Sequence, residues 1–259
     1  MELPEGLKLD DYEKPRRRIV EFIRDYVSKT GLAGVVLGLS GGIDSSLVAT
    51  LACEALGPDK VSGLMLPVDA KKDKENVKDA RNLAELLRMS YDVFELKRAV
   101  AAFDPLYLEK VALGNLTARL RMTTWYARAN QENRLVLGTG NKSEILTGYF
   151  TKYGDAGVDI LPLGELYKVN VWGLAEHIGV PQYIIKKTPS AGLWADQTDE
   201  GEMGVTYKEL DSILFLRFDR GLSPEEIASR GHALDTVGKV MALVERSQHK
   251  RDPIPRAQL

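Results

Sequence analysis

The sequence predicts an α/β fold, a parallel sheet flanked by helices with a helical C-terminal extension, and three observations predict it. Between residue 30 and about residue 150, short apolar runs alternate with stretches of helical period. The first of these runs closes in a Ser-Gly-Gly turn that leads directly into a helix. After residue 204 only helical periods remain. The 259 residues are 44% apolar, enough to build a sizeable core, and they are read as one domain over 1–259.

The elements follow in order. Residues 12–29 lead in with a helix that places Ile19, Phe22, Ile23, Tyr26 and Val27 on one face and Arg16 to Arg18, Glu21 and Asp25 on the others. A core of about 30–186 comes next. Its first strand is Val35 to Leu39, a continuous apolar run of the kind that parallel strands buried on both faces require. A helix follows from about Asp44 to Leu56, then a strand over Val61 to Leu66. Residues 74–88 form a helix with Val77, Ala80, Leu83, Ala84 and Leu87 inward, and Tyr91 to Leu96 the next strand. Two helical stretches, about 97–112 and 116–131, precede a fourth strand at Leu135 to Gly138. Beyond residue 150 glycines and prolines punctuate the chain until a helix at about 165–178, with Ile160-Leu161 as a short strand candidate. Residues 187–204 carry Pro189, Gly192, Gly201 and Gly204 and are expected to be a long mobile loop. The helical C-terminal part, 205–259, has Leu210, Ile213, Leu214 and Leu216 in one helix and Val237, Val240, Met241 and Val244 in another.

Composition narrows the function classes. With 35 Lys+Arg against 37 Asp+Glu the net charge is -2, so no global positive field draws the chain to nucleic acid or acidic lipid, and any anion needs a local site. The single cysteine, Cys53, excludes an internal disulfide and a multi-cysteine zinc site and fits a reducing compartment; the expected location is the cytoplasm. The first residues lack a basic patch followed by an apolar run, and no stretch approaches the length of a membrane span.

The most informative string is Gly38-Leu39-Ser40-Gly41-Gly42-Ile43-Asp44-Ser45-Ser46, between the first strand and the first helix of the sheet. Its glycines let backbone N–H groups face a ligand, the helix start adds a positive dipole end, and three serines supply hydroxyls. Such a cradle at the carboxyl end of a parallel strand suits phosphate or pyrophosphate. It is neither a Walker loop, because no Lys-Ser or Lys-Thr follows the glycines, nor the Gly-x-Gly-x-x-Gly dinucleotide turn. Taken alone, Ser40 or Asp44 would be a helix cap and the glycines a tight turn.

The string Ser-Gly-Gly-Ile-Asp-Ser-Ser resembles the signature of the PP-loop family, the N-type ATP pyrophosphatases, which cut ATP between the α and β phosphates. The resemblance implies an adenine nucleotide alpha hydrolase-like, Rossmann-like fold. Three further segments, Gly114 to Met122, Gly138 to Glu144, and Thr151 to Asp159 with Leu161-Pro162-Leu163, resemble the NAD synthetase family. Lys187 to Leu193, Asp199-Glu200 and Leu210-Asp211 continue that likeness, which covers roughly residues 20–255. It implies an ATP phosphate loop at Gly38, Leu39, Ser40, Gly41, Gly42, Ile43, Asp44 and Ser45, with Thr139, Lys168 and Ser190 also contacting ATP. It makes Asp44 and Glu144 the Mg2+ ligands and gives Asp44 and Lys168 the catalytic roles. Arg119, Lys152, Asp159, His249 and Lys250 are implied to contact nicotinic acid adenine dinucleotide (deamido-NAD). Each of these has a plain structural alternative: a helix-terminal charge for Asp44, Glu144 and His249, a solvated surface charge for Lys152 and Lys168.

The implied reaction is the ATP- and magnesium-dependent amidation of deamido-NAD by ammonia, in a homodimer with the dinucleotide site near the subunit contact. Neither a nucleic acid nor a membrane is an expected partner. The sequence departs from the family pattern in two places. Gly140-Asn141-Lys142-Ser143 stands where Asp-His-Ala-Ala often precedes the metal-binding glutamate, and Ser190-Ala191-Gly192 stands where Thr-Ala-Asp is frequent. Two rival functions are a tRNA-thiolating PP-loop enzyme, which wants paired reactive cysteines and a basic face, and a non-catalytic ATP-binding module, which needs no complete metal site.

Overall fold

The computed structural model describes residues 2–194 and 196–257, so that of the segments above only Met1, Ala195, Gln258 and Leu259 lie outside the described residues. Four short strands, β1 (Val35–Gly38), β2 (Val61–Met65), β3 (Ser90–Val93) and β4 (Leu135–Leu137), form one parallel sheet in the order β3-β2-β1-β4. The register sets Val35 against both Val61 and Leu135, which puts the ends of β1, β2 and β4 level with one another. β1, β2 and β4 are almost wholly buried, as their uninterrupted apolar runs require, whereas edge strand β3 keeps polar, exposed positions. Ile160 makes only an isolated parallel bridge to Leu137, so the short strand candidate at Ile160-Leu161 is reduced to one residue.

Helix α1 (Glu13–Thr30) packs on α2 (Ile43–Leu56), and α2 lies embedded between α1, the sheet and a later helix, which is why it is apolar around most of its circumference. The α1 stripe is narrower than its sequence period implies. Ile19, Val20, Ile23 and Val27 are buried, but Phe22 and Tyr26, at the edge of the stripe, remain 42% and 38% exposed and pack on each other instead. Helix α3 (Lys74–Leu87) buries Ala80, Leu83 and Ala84 as expected.

Two segments differ from expectation. The stretch after β3 breaks early, into α4 (Lys97–Ala101) and a tight turn at Asp104–Leu106, because Pro105 cannot continue a helix. From Lys110 one unbroken helix, α5 (Lys110–Glu132), runs through Gly114, where a break was expected. Gly114 serves close packing there: a Cβ would stand 3.0 Å from the Trp194 ring. The segment 187–204 is likewise not all loop, since α9 (Asp199–Met203) forms with Thr198 as its N-cap, its Oγ1 accepting the Gly201 N–H at 3.1 Å.

The remaining helices are α6 (Lys142–Thr147), α7 (Lys168–His177), α8 (Gln182–Ile185), α10 (Tyr207–Leu214), which continues into a π-helical turn at Phe215–Asp219, α11 (Pro224–Ser229), α12 (Leu234–Arg246) and α13 (Gln248–Arg251). They cover a second core of Tyr207, Leu210, Ile213, Leu214, Val237 and Val240, to which Leu7 from the N-terminal segment is added. Asn170 of α7 anchors that segment, accepting the Leu9 N–H and donating to the Leu7 carbonyl. Among the described residues no helix is long and apolar enough to cross a membrane.

Candidate active site

The carboxyl end of β1 turns sharply into α2, and the turn is fixed by its neighbours. Gly41 has φ 75°, and a Cβ on it would come within 2.5 Å of the Asn76 carbonyl, so only glycine fits. The hydroxyls then knit the bend: Ser40 Oγ accepts the Gly42 N–H and lies 3.0 Å from Ser45 Oγ, while Ser45 and Ser46 both donate to the Gly42 carbonyl. Gly42 is the N-cap of α2 and offers no side chain to the helix start. The first N–H groups of a helix have no partner within it, so this terminus presents donors and a positive dipole end to whatever lies in front.

What lies in front is a cavity of about 550 Å³ lined by Gly38, Leu39, Ser40, Gly42, Ile43, Asp44 and Ser45 of the bend. Thr139, Glu144, Lys168, Ser190 and Lys250 line it as well. Gly41 stands behind the lining with its carbonyl bonded to Lys187 Nζ at 3.2 Å. Leu64 to Pro67, Val77 and Trp125 make part of the lining apolar, and other parts are ionic.

Within this lining, the acids Asp44, Glu144 and Asp199 lie around one buried ammonium. Lys168, the first residue of α7, has a side chain only 2% exposed, with Nζ 2.5 Å from Asp44 Oδ2 and 3.6 Å from Glu144 Oε1. Burial alone would lower its pKa, but Asp44, Glu144 and Asp199 together raise it above the ordinary lysine value, so it stays charged. Burial, helped by Asp44 and opposed by Lys168, pushes Glu144 up to about 8. Asn141 orders the carboxylates: its Nδ2 donates to Asp44 Oδ1 at 2.9 Å, and with Glu144 it forms a reciprocal capping box at the start of α6. Asp199 is also raised by burial; it accepts a hydrogen bond from Tyr207 OH at 2.9 Å through Oδ2, and Oδ1 has no partner among the described residues.

The residues the resemblance assigned to deamido-NAD are placed differently from one another. Lys250 lines the cavity and donates to the Gly148 and Phe150 carbonyls, both at 2.7 Å. Arg119, Lys152 and His249 stand outside the lining but form one chain of contacts, Arg119 Nε to the Lys152 carbonyl at 3.3 Å and Lys152 Nζ to the His249 carbonyl at 2.5 Å. Asp159 is apart from them and accepts from Tyr126 OH at 3.0 Å and the Val136 N–H at 2.7 Å. Cys53 is half-buried, and burial pushes its thiol up to about 11, which keeps it a neutral packing group.

Several residues at the cavity had no role assigned from sequence. Asn141 was legible as the head of an Asn-x-x-Glu capping box. Asp155, Arg121 and Lys187 line the cavity with no local signal; Lys187 bonds to Asn76 at 3.0 Å and to Asp79 at 2.5 Å, partners more than a hundred residues earlier in the chain.

A parallel sheet whose first strand leads into an uncapped helix N-terminus with serine hydroxyls, sharing one cavity with a carboxylate–ammonium cluster, has the site of an α/β nucleotide-binding protein. Comparison with known proteins narrows the class. The family model described as NAD synthase matches residues 16–254, and the chain belongs to that family. It is 48% identical to the NH(3)-dependent NAD(+) synthetase of Archaeoglobus fulgidus over 96% of this chain and 98% of that one. Its identity to the protein of that name from Methanosarcina mazei is 44%, over 95% and 98%. Among solved structures, the NMN synthetase of Francisella tularensis is similar at TM-score 0.84 and 36% identity, covering 96% of this chain and 99% of that chain. The NH3-dependent NAD synthetase of Campylobacter jejuni has TM-score 0.83 and 31% identity, with 96% and 100% covered.

Proposed function

We propose that this protein amidates nicotinic acid adenine dinucleotide with ammonia, converting ATP to AMP and pyrophosphate. The observation that carries the proposal is the open N-terminus of α2 beside the Asp44–Lys168–Glu144 cluster: one cavity offers both an anion cradle and the charges that phosphoryl transfer needs. The N–H groups of the bend with Ser40 and Ser45 receive the β and γ phosphates, and Thr139 and Ser190 contact the rest of the nucleotide. Arg119, Lys152, Asp159, His249 and Lys250 hold the acid dinucleotide.

In the first step the substrate carboxylate oxygen attacks the α-phosphorus of ATP, the bond to the bridging oxygen breaks, and pyrophosphate leaves. In the second, ammonia attacks the activated carbonyl, AMP departs with the oxygen, and the nitrogen loses a proton to give the amide. Lys168 offsets the charge that builds on the α-phosphate, and the cavity holds both reactants in line; no nucleophilic side chain is required. A magnesium ion fits the residues present. Asp44 and Glu144 would supply two hard oxygen ligands, and Mg2+ commonly takes one or two carboxylates with phosphate oxygens and water for the rest. When bound, the ion neutralises charge on the phosphates.

Free ammonia as the nitrogen donor is supported by the relatives named NH(3)-dependent NAD(+) synthetase. The working unit is a homodimer, supported by the family likeness and by apolar side chains left exposed just before and in the first turn of α5, Leu106, Tyr107 and Val111. The deciding assay mixes the protein with ATP, magnesium, ammonium and the acid dinucleotide, with the acid mononucleotide in a parallel reaction. Amide and pyrophosphate form in equal amounts, and Asp44→Asn abolishes pyrophosphate release. Preferential amidation of the mononucleotide overturns the substrate, and normal turnover by Asp44→Asn overturns the metal assignment.

A further inference from the structure

The catalytic lysine begins a helix that does not cap itself. Tyr167, at the N-cap of α7, makes no side-chain bond to the helix start. The leading N–H groups of a buried helix must nevertheless find acceptors, because a buried donor without one is costly. Here the acceptors come from two other elements. The Lys168 N–H donates to Ser143 Oγ of α6 at 2.9 Å, and the Val169 N–H donates to Asp211 Oδ2 of α10 at 2.9 Å. Ser143 closes the arrangement by donating its own hydroxyl to Asp211 Oδ1 at 2.5 Å. Both Asp211 and Ser143 are completely buried.

The consequence is geometric. Ser143 immediately precedes Glu144, and Lys168 is the residue whose ammonium lies between Asp44 and Glu144. One buried carboxylate on the C-terminal helices therefore ties the start of α6 to the start of α7, where two charged members of the cluster originate. A second acid eight positions on, Asp219, repeats the clamp one residue earlier on each side: it accepts from Lys142 Nζ at 2.8 Å and from Tyr167 OH at 2.5 Å. The α10 segment thus adds to the direct ties between the two helix starts, which include the Lys142 N–H bond to the Leu166 carbonyl at 2.9 Å.

We propose that Asp211, acting through Ser143 and the first two N–H groups of α7, is a positioning residue that sets Lys168 in register with Asp44 and Glu144. Asp211 touches no substrate, and its effect is confined to the nucleotide half of the site. The inference rests on the ATP-binding part of the function proposed above.

The test measures ATP and acid dinucleotide affinities by titration calorimetry, together with steady-state amidation, for Asp211→Ala, Asp211→Asn and Ser143→Ala. Titration stoichiometry gives the folded fraction. Removing an outer partner of a ligating group commonly costs about 10- to 100-fold, and a loss of that order is expected in ATP affinity and kcat for Asp211→Ala. Dinucleotide affinity stays within about twofold, because that part of the site is held by other elements. Asp211→Asn keeps an acceptor for the Val169 N–H and can donate to Ser143, so it recovers most of the loss. A merely structural role would lower stoichiometry for both ligands and leave the affinities of the folded fraction alone. Wild-type ATP affinity in Asp211→Ala, or an equal loss for both ligands, overturns the proposal. Should Asp211→Ala not fold, Ser143→Ala decides it by the same criteria, since it removes the acceptor of the Lys168 N–H. A wild-type protein that binds ATP but not the dinucleotide refutes the assigned substrate while leaving the ATP comparison intact.

Discussion

Replacing Lys168 by methionine asks what the buried ammonium does for the ion-free protein. Methionine keeps the length and flexibility of the side chain but removes its charge. The Lys168 side chain is 2% exposed, and its partners Asp44 and Glu144 keep only 19% and 18% of their side-chain surface. Removing one partner of a buried ion pair typically costs about 3–5 kcal/mol, because the other charge is left uncompensated. Burial and Asp44 both raise Glu144 above the ordinary carboxylate range, so the uncompensated charge falls mainly on Asp44. The loss is therefore placed at the lower end, about 3 kcal/mol. Urea denaturation at neutral pH in the presence of a chelator measures it. Adding magnesium then supplies the missing positive charge, so the variant gains more stability from the ion than wild type does, following the linkage between ligand concentration and folding. Two results would refute the reasoning: a variant as stable as wild type in chelator, or an equal magnesium effect in both proteins.

Two further outcomes follow from single observations. Gly41→Ala forces an L-residue to φ 75° and drives a methyl group to 2.5 Å from the Asn76 carbonyl, so it should cost at least about 2 kcal/mol in urea denaturation and displace the bend from its ligand; unchanged ATP affinity would contradict the cradle. Asp211 is pushed up to about 7 by burial, against the opposing bonds from Ser143 and the Val169 N–H, so the folded state keeps a proton that the unfolded chain releases near the ordinary aspartate value of 3.8. A raised folded-state pKa gives stability that is present at low pH and lost as pH rises through the folded value. Between about pH 5 and pH 7, wild type should accordingly lose up to about 1.4 kcal/mol per pH unit relative to Asp211→Asn, and parallel pH profiles for the two proteins would sink that assignment.

How much of this was written locally in the chain can be judged from particular elements. β1, β2 and β4 were legible because a strand buried on both faces must be continuously apolar, and Val35 to Leu37 leaves little choice. Helix α2 was legible for the same reason. The exposure of Phe22 and Tyr26 was not, since period identifies a face but the width of the surface it meets belongs to α2. Gly114 was misread as a break because glycine lowers helix propensity, while the ring of Trp194 that makes its small size useful lies eighty positions away. The short α9 was hidden by the acidic and glycine content of its surroundings, although Thr198 is a recognisable cap.

For the site, sequence distance marks the limit. The phosphate bend is a string of adjacent residues whose hydroxyls and N–H groups serve one another, so its chemistry is visible without the fold. The charge cluster is the opposite case. Asp44 meets Asn141 across 97 positions and Lys168 across 124, and Ser143 meets Asp211 across 68. No periodicity encodes such pairs; they exist because a parallel sheet returns each strand end to the same edge, and because the C-terminal helices close over that edge. This explains why a buried lysine among three acids read, residue by residue, as ordinary surface charge. The helical C-terminal part makes a core of its own from its apolar faces, but two of its acids, Asp211 and Asp219, bond to the starts of α6 and α7. In the proposed mechanism the cradle for the outer phosphates therefore belongs to the sheet, and the register of the charges around it to the helices that follow.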